Sequence, residues 1–398
     1  MSTFKPATEW IAPDVFPTEL LVNAKQIAID TETRDPNLTS IGPGYIRGDG
    51  EVVGISVACD GFEGYFPFGH ETGFNFPKNK VVDFFKKVCA SDNTKVFHNA
   101  PYDIGWLRTL GIEVKGKIVD TMIVAPLIDE NQFYYSLNGL GREYLNEGKT
   151  EAELNAAAAE WGLDPKAEMW RLPSAYVGTY ATQDAVLTLK LWDYFKVELE
   201  KQNLWNVFDL EMELLPIIIE MKRVGVRVDL ERAEKIKKEL ITKEKNLIKS
   251  IQDQSGVKDL QLWAARSLAQ VFDALKLSYL RTPTGQPSFT KAFLENHTHP
   301  VASLIREARE LNKSHSTFID SILKHQHNGR IHAEIRQLKG ESGGTVTGRL
   351  SMSNPNLQQV PARNKNIGPL IRSLFLPEEN HTWCSADFSQ QEPRILTH

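Results

Sequence analysis

The pattern of apolar positions predicts an α/β region over residues 21–145. The segment KQIAIDTET is typical of a short apolar strand ending in acidic residues, and in GEVVGISVACD the residues Val53, Ile55 and Val57 alternate onto one face. The segments TKVFHNAPYDIGWLRTLGI and KIVDTMIVAPLIDEN each begin with strand-like positions and continue with helical spacing. A helix is predicted for NFPKNKVVDFFKKVCAS, so strands and helices alternate along this region.

Helical patterns dominate the middle of the chain. PSAYVGTYATQDAVLTLKLWDYFKVELEKQ predicts one long helix, and residues 205–330 are almost wholly helical in pattern. The amphipathic run DLERAEKIKKELITKEKNLIKSIQDQSG is rich in lysine, a composition more typical of a solvated face than of a binding surface. Strand-like patterns return from GRIHAEIRQLKG onward, and another strand is predicted just before Asp387.

Composition narrows the class of protein only slightly. The 398 residues are 41% hydrophobic and 24% charged, which is ordinary for a globular protein of two or three domains. The net charge of -5 neither supports nor excludes a nucleic-acid partner, because such binding needs clustered basic residues rather than a positive total. The three cysteines show no metal-binding spacing, and no signal peptide or membrane span is evident. We therefore expect a cytoplasmic protein without a membrane partner.

Acidic residues at the ends of predicted strands and helices are the strongest candidates for chemistry. Asp30 and Glu32 are two apart on a strand and so point to one face, while Asp103 follows a strand that turns into a helix. Asp184 lies one helical turn after Tyr180. Each acid alone is more often a helix cap or turn residue. Together they form a carboxylate set suited to Mg²⁺ or Mn²⁺.

The segments DTE, HNAPYD and YATQD resemble, in this order, the exonuclease motifs of the 3′–5′ proofreading domain of family A DNA polymerases. That domain is an RNase H-like α/β fold, a mixed sheet with flanking helices. The resemblance implies two divalent ions, Mg²⁺ or Mn²⁺. Asp30, Glu32 and Asp184 would hold the ion that binds the nucleophilic water, and Asp30 with Asp103 would hold the second.

Two polar residues of the same motifs have implied supporting roles. Tyr180 would orient the attacking water, and Asn99 would support the site through hydrogen bonds. The expected activity is divalent-metal-dependent removal of 3′-terminal nucleotides from single-stranded DNA.

The C-terminal part of the chain, from Gly343, carries a second resemblance. GGTVTGRLSMSNPNLQQVPARN is by itself equally typical of a Gly/Ser/Pro loop. With IGPLIRSLFLPEE and SADFSQQEPRILTH it resembles the first palm segments of a family A polymerase. Asp387 would then bind both polymerase magnesium ions, Glu392 would lie against the sugar and disfavour a 2′-OH, and Arg349 would read the minor groove near the primer terminus. Lesser supporting or DNA contacts are implied for Asn356, Gln358 and Arg394.

These resemblances predict three parts. Residues 1–204 would form the 3′–5′ exonuclease domain and 331–398 an incomplete α+β palm. Between them, residues 205–330 would form a mostly helical polymerase entry and thumb, because LEMELLPIIIEMKRVGVRVDLERAEKI resembles the start of the polymerase region and RTPTGQPSFTKAFLENHTHPVASLIREARELNKSHSTFIDSIL resembles the thumb. The fingers and a second palm aspartate, which the family needs, are expected beyond His398. We therefore interpret the chain as the N-terminal portion of a DNA-directed DNA polymerase that does not polymerise alone. Its expected partners are a single-stranded 3′ end of DNA and a primer–template duplex. A second polypeptide that completes the palm, as in a split polymerase, is one interpretation; a poorly ordered C-terminus, a truncated reading frame or a gene fragment is equally consistent with the sequence.

Other interpretations stay open at this point. The chain could be a DNA-binding fragment, or a subunit of a split polymerase, whose exonuclease site is idle. It could also be an RNA-trimming exonuclease, since such enzymes share the acidic motifs. The complete set of acids favours an active site over an idle one, and the thumb and palm segments favour DNA over RNA.

Overall fold

A computed structural model describes residues 8–341, 343–361 and 364–398. The first seven residues of the predicted exonuclease domain, Ser342 in the glycine-rich stretch, and Ala362 and Arg363 in the predicted palm lie outside the described residues. The chain forms two compact units. The first runs to Val224 and includes His332–Gln358, and the second comprises Gly225–Ile331 and Gln359–His398. The division into three domains stays a prediction.

The strands are short outside the first unit's sheet. In chain order they are β1 Gln26–Arg34, β2 Glu51–Cys59, β3 Phe62–Pro67, β4 Thr94–Phe97, β5 Ile118–Asp120, β6 Val226–Val228, β7 Leu280–Arg281, β8 Pro287–Ser288, β9 Gln326–His327, β10 Arg330–Ile331, β11 Glu334–Arg336, β12 Ser351–Ser353 and β13 Phe375–Leu376.

Helices make up most of the remaining regular structure. They are α1 Thr18–Asn23, α2 Leu38–Ile41, α3 Lys78–Cys89, α4 Ala100–Thr109, α5 Thr121–Ile128, α6 Leu137–Leu140, α7 Ala152–Trp161, α8 Gly178–Lys201, α9 Trp205–Val224, α10 Leu230–Ser255, α11 Ala265–Ala274, α12 Lys291–Asn296, α13 Pro300–Lys313, α14 Asp320–His325, α15 Ile367–Arg372 and α16 Gln391–Thr397. Across the described residues, no helix is both long and apolar enough to cross a membrane.

The first unit is built on a five-stranded mixed sheet in the order β3-β2-β1-β4-β5. Strand β1 pairs antiparallel with β2 and parallel with β4, so it lies at the centre of the sheet. Its residues Ile27, Ala28 and Ile29 are all fully buried, as expected for a strand covered on both faces. The predicted α/β fold with a mixed sheet is confirmed.

Aromatic packing consolidates one side of this sheet. Phe66 of β3 is fully buried, and its ring lies 5.2 Å from that of Phe16 and 5.1 Å from that of Phe84 on α3. Phe85 meets the Phe66 ring edge-on at 5.7 Å. Rings in such tilted and edge-on arrangements contribute stability beyond the area that they bury.

Helix α8, which has 24 residues, packs against β1, β2 and β3. The predicted long helix is therefore present, although it begins at Gly178 because Ser174–Tyr176 forms a 3₁₀ turn after Pro173. The Trp10 ring lies against the start of α8, where a Cβ on Gly178 would come within 2.1 Å of it. A glycine is thus required at this close approach.

Residues 205–330 are mainly helical, as predicted; Trp205–Val224 belongs to the first unit and the rest of this range to the second. Helix α10 packs against α13 and is capped at its N-terminus by Asp229, whose side chain accepts a hydrogen bond from the Arg232 backbone N–H at 3.0 Å. A small four-stranded sheet, in the order β13-β6-β10-β9, lies in the second unit. Strands β10 and β13 lie in the region from GRIHAEIRQLKG onward, where strands were predicted. Strands β6 and β9 were not predicted, because two- and three-residue strands are too short to show a period.

The strand predicted just before Asp387 is wrong. The described segment 381–388 has neither helix nor strand, and all of its residues are exposed. Trp383, before Asp387, is 60% exposed, and Phe388, directly after it, is 83% exposed. A strand needs a hydrogen-bonded neighbour, and none pairs with this segment within the described part of the chain.

Replacing Phe66 with alanine tests the packing of this core. We expect Phe66→Ala to lower the free energy of unfolding by about 3–5 kcal/mol, because it leaves a cavity among buried rings. Denaturant unfolding followed by tryptophan fluorescence measures this change. Phe133→Ala, at a side chain that is 90% exposed, is the control and should change it little. Equal effects of the two substitutions would contradict this packing.

Candidate active site

Strand β1 places two acidic side chains at the centre of the sheet. Asp30 pairs with Ser56 of β2, and Glu32 pairs with Gly54. A Cβ on Gly54 would lie 2.1 Å from the Tyr65 hydroxyl oxygen, so the glycine leaves room for the Tyr65 ring beside Glu32. Alternation along the strand sends both carboxylates to one face, as predicted.

Helix α8 brings a third carboxylate to this face. Asp30, Glu32 and Asp184 each offer a ligand oxygen, and these oxygens lie within 4.8 Å of one another. Glu32 and Asp184 are only 6% and 4% exposed, whereas Asp30 is partly exposed. Tyr180, one turn earlier on α8, is also buried. We call Asp30, Glu32 and Asp184 the acid group.

Asp103 lies against β1 but is not a member of the acid group. It is on the first turn of α4, and its Oδ1 accepts hydrogen bonds from the Thr31 backbone N–H at 3.0 Å and from the Thr31 hydroxyl at 2.6 Å. Burial and the negative charge of Asp30 raise the pKa of Asp103 well above its usual value, and the bonds from Thr31 only partly oppose this. Asp103 is therefore held beside Thr31, which lies between Asp30 and Glu32 on β1.

Asp120 is a further buried acid, which the sequence interpretation did not single out. Its carboxylate accepts backbone N–H bonds from Asn99 at 2.9 Å, Ala100 at 2.8 Å and Met122 at 2.9 Å. It thereby fixes the start of both α4 and α5. Its position at the end of β5, followed directly by a helix, is the same signal that indicated Asp103.

Asn99 is placed at the same corner by its backbone. Its φ of 79° is left-handed, which asparagine tolerates better than most residues, and it directly precedes α4. This turn directs α4, and hence Asp103, toward β1. The hydrogen-bonding role predicted for the Asn99 side chain stays a prediction.

The acid group is electrostatically unfavourable on its own. Burial, reinforced by the charge of Asp184, raises the pKa of Asp30 to about 7. Burial and the neighbouring acids raise the pKa of Glu32 well above its usual value. Glu32 Oε1 and Asp184 Oδ1 are buried and have no hydrogen-bond partner within the described part of the chain. Buried carboxylate oxygens without partners are costly, and a divalent cation would satisfy them, so the residues present fit such an ion.

Lys149 is the cation that the structure places at this site, and the sequence interpretation missed it. Its ammonium nitrogen lies 2.6 Å from Asp184 Oδ2 and donates to the Tyr180 hydroxyl at 3.3 Å. Burial opposes its charge, but Asp184 and the other acids outweigh burial and raise the pKa of Lys149. Lys149 belongs to the segment EGKTEAEL, which has no motif that indicates an active-site residue; only the fold brings it here.

The predicted palm residues are distributed over both units. Arg349, Asn356 and Gln358 are exposed and belong to the first unit. The Gln358 side-chain amide donates to the Leu350 carbonyl at 2.8 Å, and its backbone N–H donates to Asn356 Oδ1 at 3.1 Å. These bonds order the loop locally. The DNA contacts implied for these residues stay predictions.

Asp387, Glu392 and Arg394 belong to the second unit and are exposed. Glu392 is in the first turn of α16, a helix without buried residues. Within the described residues, no set of three or more metal-binding side chains includes Asp387. The roles implied for these residues in nucleotide binding stay predictions.

Comparisons with known proteins agree with both resemblances. A family model described as 3′–5′ exonuclease matches residues 17–200, and one described as DNA polymerase family A matches residues 230–398. The DNA-directed DNA polymerase of Pseudomonas phage M6 is 38% identical over 408 residues, covering 98% of this chain and 61% of that protein. DNA polymerase DpoZ of Salmonella phage PMBT28 is 32% identical, covering 96% of this chain and 63% of that protein.

A solved polymerase structure has a fold similar to that of this chain. The POL domain of Pol1 from M. smegmatis, solved in complex with a DNA primer-template and dNTP, matches with a TM-score of 0.71 at 21% identity, over 94% of this chain and 59% of that one. Residues 230–398 of this chain thus match DNA polymerase family A, and residues 17–200 match a 3′–5′ exonuclease, for which the mixed sheet of the first unit is consistent with an RNase H-like fold. It spans 61% and 63% of the length of the two phage relatives.

The raised pKa of Asp30 predicts how pH affects the stability of the metal-free protein. The folded chain retains a proton up to about pH 7, whereas the unfolded chain releases it near 3.8. Because the folded state binds more protons, stability is lost as pH rises between these values. In EDTA, the Tm of wild type should therefore fall relative to that of Asp30→Asn between about pH 5 and pH 8. If the Tm of wild type differs from that of Asp30→Asn by the same amount at pH 5 and at pH 8, the raised pKa of Asp30 is contradicted.

Proposed function

We propose that this chain removes nucleotides from the 3′ end of single-stranded DNA in a reaction that depends on Mg²⁺ or Mn²⁺. The observation that carries the proposal is the acid group, with three ligand oxygens within 4.8 Å of one another in a largely buried site. Carboxylate-only ligation suits Mg²⁺ or Mn²⁺ rather than zinc. The match of residues 17–200 to the 3′–5′ exonuclease family supports the direction of cleavage.

The acid group would hold one divalent ion, and Asp30 with Asp103 would hold a second. Bound there, such ions would stabilise charge on the phosphodiester oxygens and lower the pKa of an attacking water. The two buried oxygens that have no partner in the described chain, Glu32 Oε1 and Asp184 Oδ1, support this assignment.

The remaining side chains orient and shield the reaction. Burial and the charge of Asp184 raise the pKa of Tyr180 well above its usual value, so its hydroxyl keeps its proton at neutral pH. A neutral hydroxyl beside the acid group can hydrogen-bond to an attacking water and hold it in line. The bonds from Thr31 hold Asp103 in a fixed orientation before substrate arrives.

Loss of Asp30 should abolish most of this activity. We expect Asp30→Ala to slow degradation of a 3′-labelled single-stranded oligonucleotide by about 100-fold or more in Mg²⁺, since Asp30 would serve both ions. The control is Asp60→Ala, at an exposed position after β2, which should leave the rate unchanged. Equal degradation by wild type and Asp30→Ala would overturn the proposal.

The same assay separates the alternative functions. An idle exonuclease site would give no Mn²⁺-dependent cleavage by the wild-type chain. An RNA-trimming enzyme would degrade an RNA oligonucleotide faster than DNA of the same sequence. We expect cleavage of DNA, its loss in EDTA and slower cleavage of RNA.

For the part that matches DNA polymerase family A, we propose that residues 230–398 contact a primer–template duplex but do not extend the primer in this chain alone. Asp387 lies in an exposed segment, and within the described residues it belongs to no set of three or more metal-binding side chains. Two ions need more than one shared carboxylate. The second polypeptide and the cytoplasmic location stay predictions.

A primer-extension assay tests the absence of polymerisation. With the purified chain, a primed template, four dNTPs and Mg²⁺, we expect no product longer than the primer. To prevent exonuclease degradation from masking extension, the Asp30→Ala variant is assayed in parallel. Extension by either protein, at levels above a mock purification, would contradict this proposal.

A further inference from the structure

Lys149 reaches the acid group from a loop that α8 itself holds in place. The Gln183 side-chain amide donates to the Gly148 carbonyl at 3.0 Å, and its carbonyl oxygen accepts from the Thr150 backbone N–H. The peptide groups on both sides of Lys149 are thus bound to the helix that carries Asp184. The Lys149 backbone N–H donates to Asn138 Oδ1 at 2.9 Å and fixes the loop at a third point.

The side chain of Lys149 is as well defined as its backbone. It is 13% exposed, and Asp184, which it contacts at 2.6 Å, is 5% exposed at its side chain. The ammonium nitrogen also lies 4.8 Å from the centroid of the Tyr180 ring. One cation therefore contacts both residues that α8 contributes to the site. An adventitious surface lysine would not be anchored in this way.

The two carboxylate oxygens of Asp184 have different surroundings. Oδ2 is bound by Lys149, whereas Oδ1 is buried without a hydrogen-bond partner in the described chain. A carboxylate held by one oxygen has a fixed orientation and still offers the other. A simple fold-stabilising ion pair would not need the second contact, to the Tyr180 hydroxyl.

We propose that Lys149 is a positioning residue of the exonuclease site: its ammonium group orients Asp184 and Tyr180 and balances part of the negative charge of the acid group until divalent ions bind. The positioning of Tyr180 for reaction rests on the proposed function. The charge balance does not, because it concerns only the acid group and metal binding.

The charge balance is tested without any measurement of activity. Lys149→Met keeps the length and removes the charge, and Lys149→Arg keeps the charge. Without the ammonium, the metal-free acid group is less stable and attracts a divalent ion more strongly. The rise in Tm from EDTA to saturating Mg²⁺ should therefore be roughly 2 °C or more larger for Lys149→Met than for wild type. Lys149→Arg should behave like wild type.

Lys166→Met is the matched control, at a lysine of the same unit whose side chain is 72% exposed. It should give the wild-type rise in Tm. If Lys149→Met does not fold, as judged by circular dichroism, Lys149→Gln replaces it, because glutamine retains a hydrogen-bond donor without the charge. An equal Mg²⁺-induced rise in wild type and the neutral variant would overturn the charge balance.

Positioning is tested by steady-state kinetics on a single-stranded oligonucleotide in saturating Mg²⁺. We expect kcat of Lys149→Met to fall about 10- to 100-fold, as for groups that orient metal-site residues, with KM changed less than about twofold. Lys149→Arg should recover part of kcat. A raised KM with unchanged kcat would overturn positioning and show that Lys149 binds DNA. Unchanged kcat and KM would overturn it as well.

The two proposals fail in different ways. If wild type and Asp30→Ala are equally inactive or equally active, the exonuclease function fails, and the Tm comparison still decides whether Lys149 balances the acid group. If only Asp30→Ala loses activity and Lys149→Met retains it fully, the exonuclease function stands and the positioning role of Lys149 fails.

Discussion

Mutual repulsion among the carboxylates of Asp30, Glu32 and Asp184, of which the last two are buried, is the constraint on which the first unit depends. Three acids within 4.8 Å of one another lose most of their hydration, and burial raises the pKa of each. Such a group persists only if the surrounding fold holds it rigidly and supplies positive charge. Lys149 provides one positive charge, at 2.6 Å from Asp184, and divalent ions would provide the rest.

The rigid support comes from regular structure rather than from loops. Strand β1 pairs with β4 over Gln26–Ala28 and with β2 from Ala28 onward, so Asp30 and Glu32 cannot shift without breaking their pairing with β2. Helix α8 packs across three strands and presents Asp184 to them. Asp120 fixes the turn before α4, which in turn carries Asp103 to Thr31. The site is thus held by the same contacts that stabilise the core.

Much of this arrangement could be predicted from the sequence, because it depends on local patterns. Alternation in KQIAIDTET indicated that Asp30 and Glu32 share a face, and helical spacing put Tyr180 one turn from Asp184. Lys149 could not be found in this way, since its position depends on long-range contacts to Gln183 and Asn138. The strand predicted before Asp387 is absent for a related reason: apolar residues favour a strand only where a neighbouring strand can pair with it.

The central claim is that the acid group is a divalent-metal site, and direct observation of a bound ion tests it best. A crystal of the protein grown with Mn²⁺ would show anomalous scattering at the ion, independent of any assay of activity. We predict an anomalous peak in contact with carboxylate oxygens of Asp30, Glu32 and Asp184, and its loss in Asp30→Ala. If anomalous peaks show Mn²⁺ bound at other sites but none at the acid group, the acid group is not a divalent-metal site.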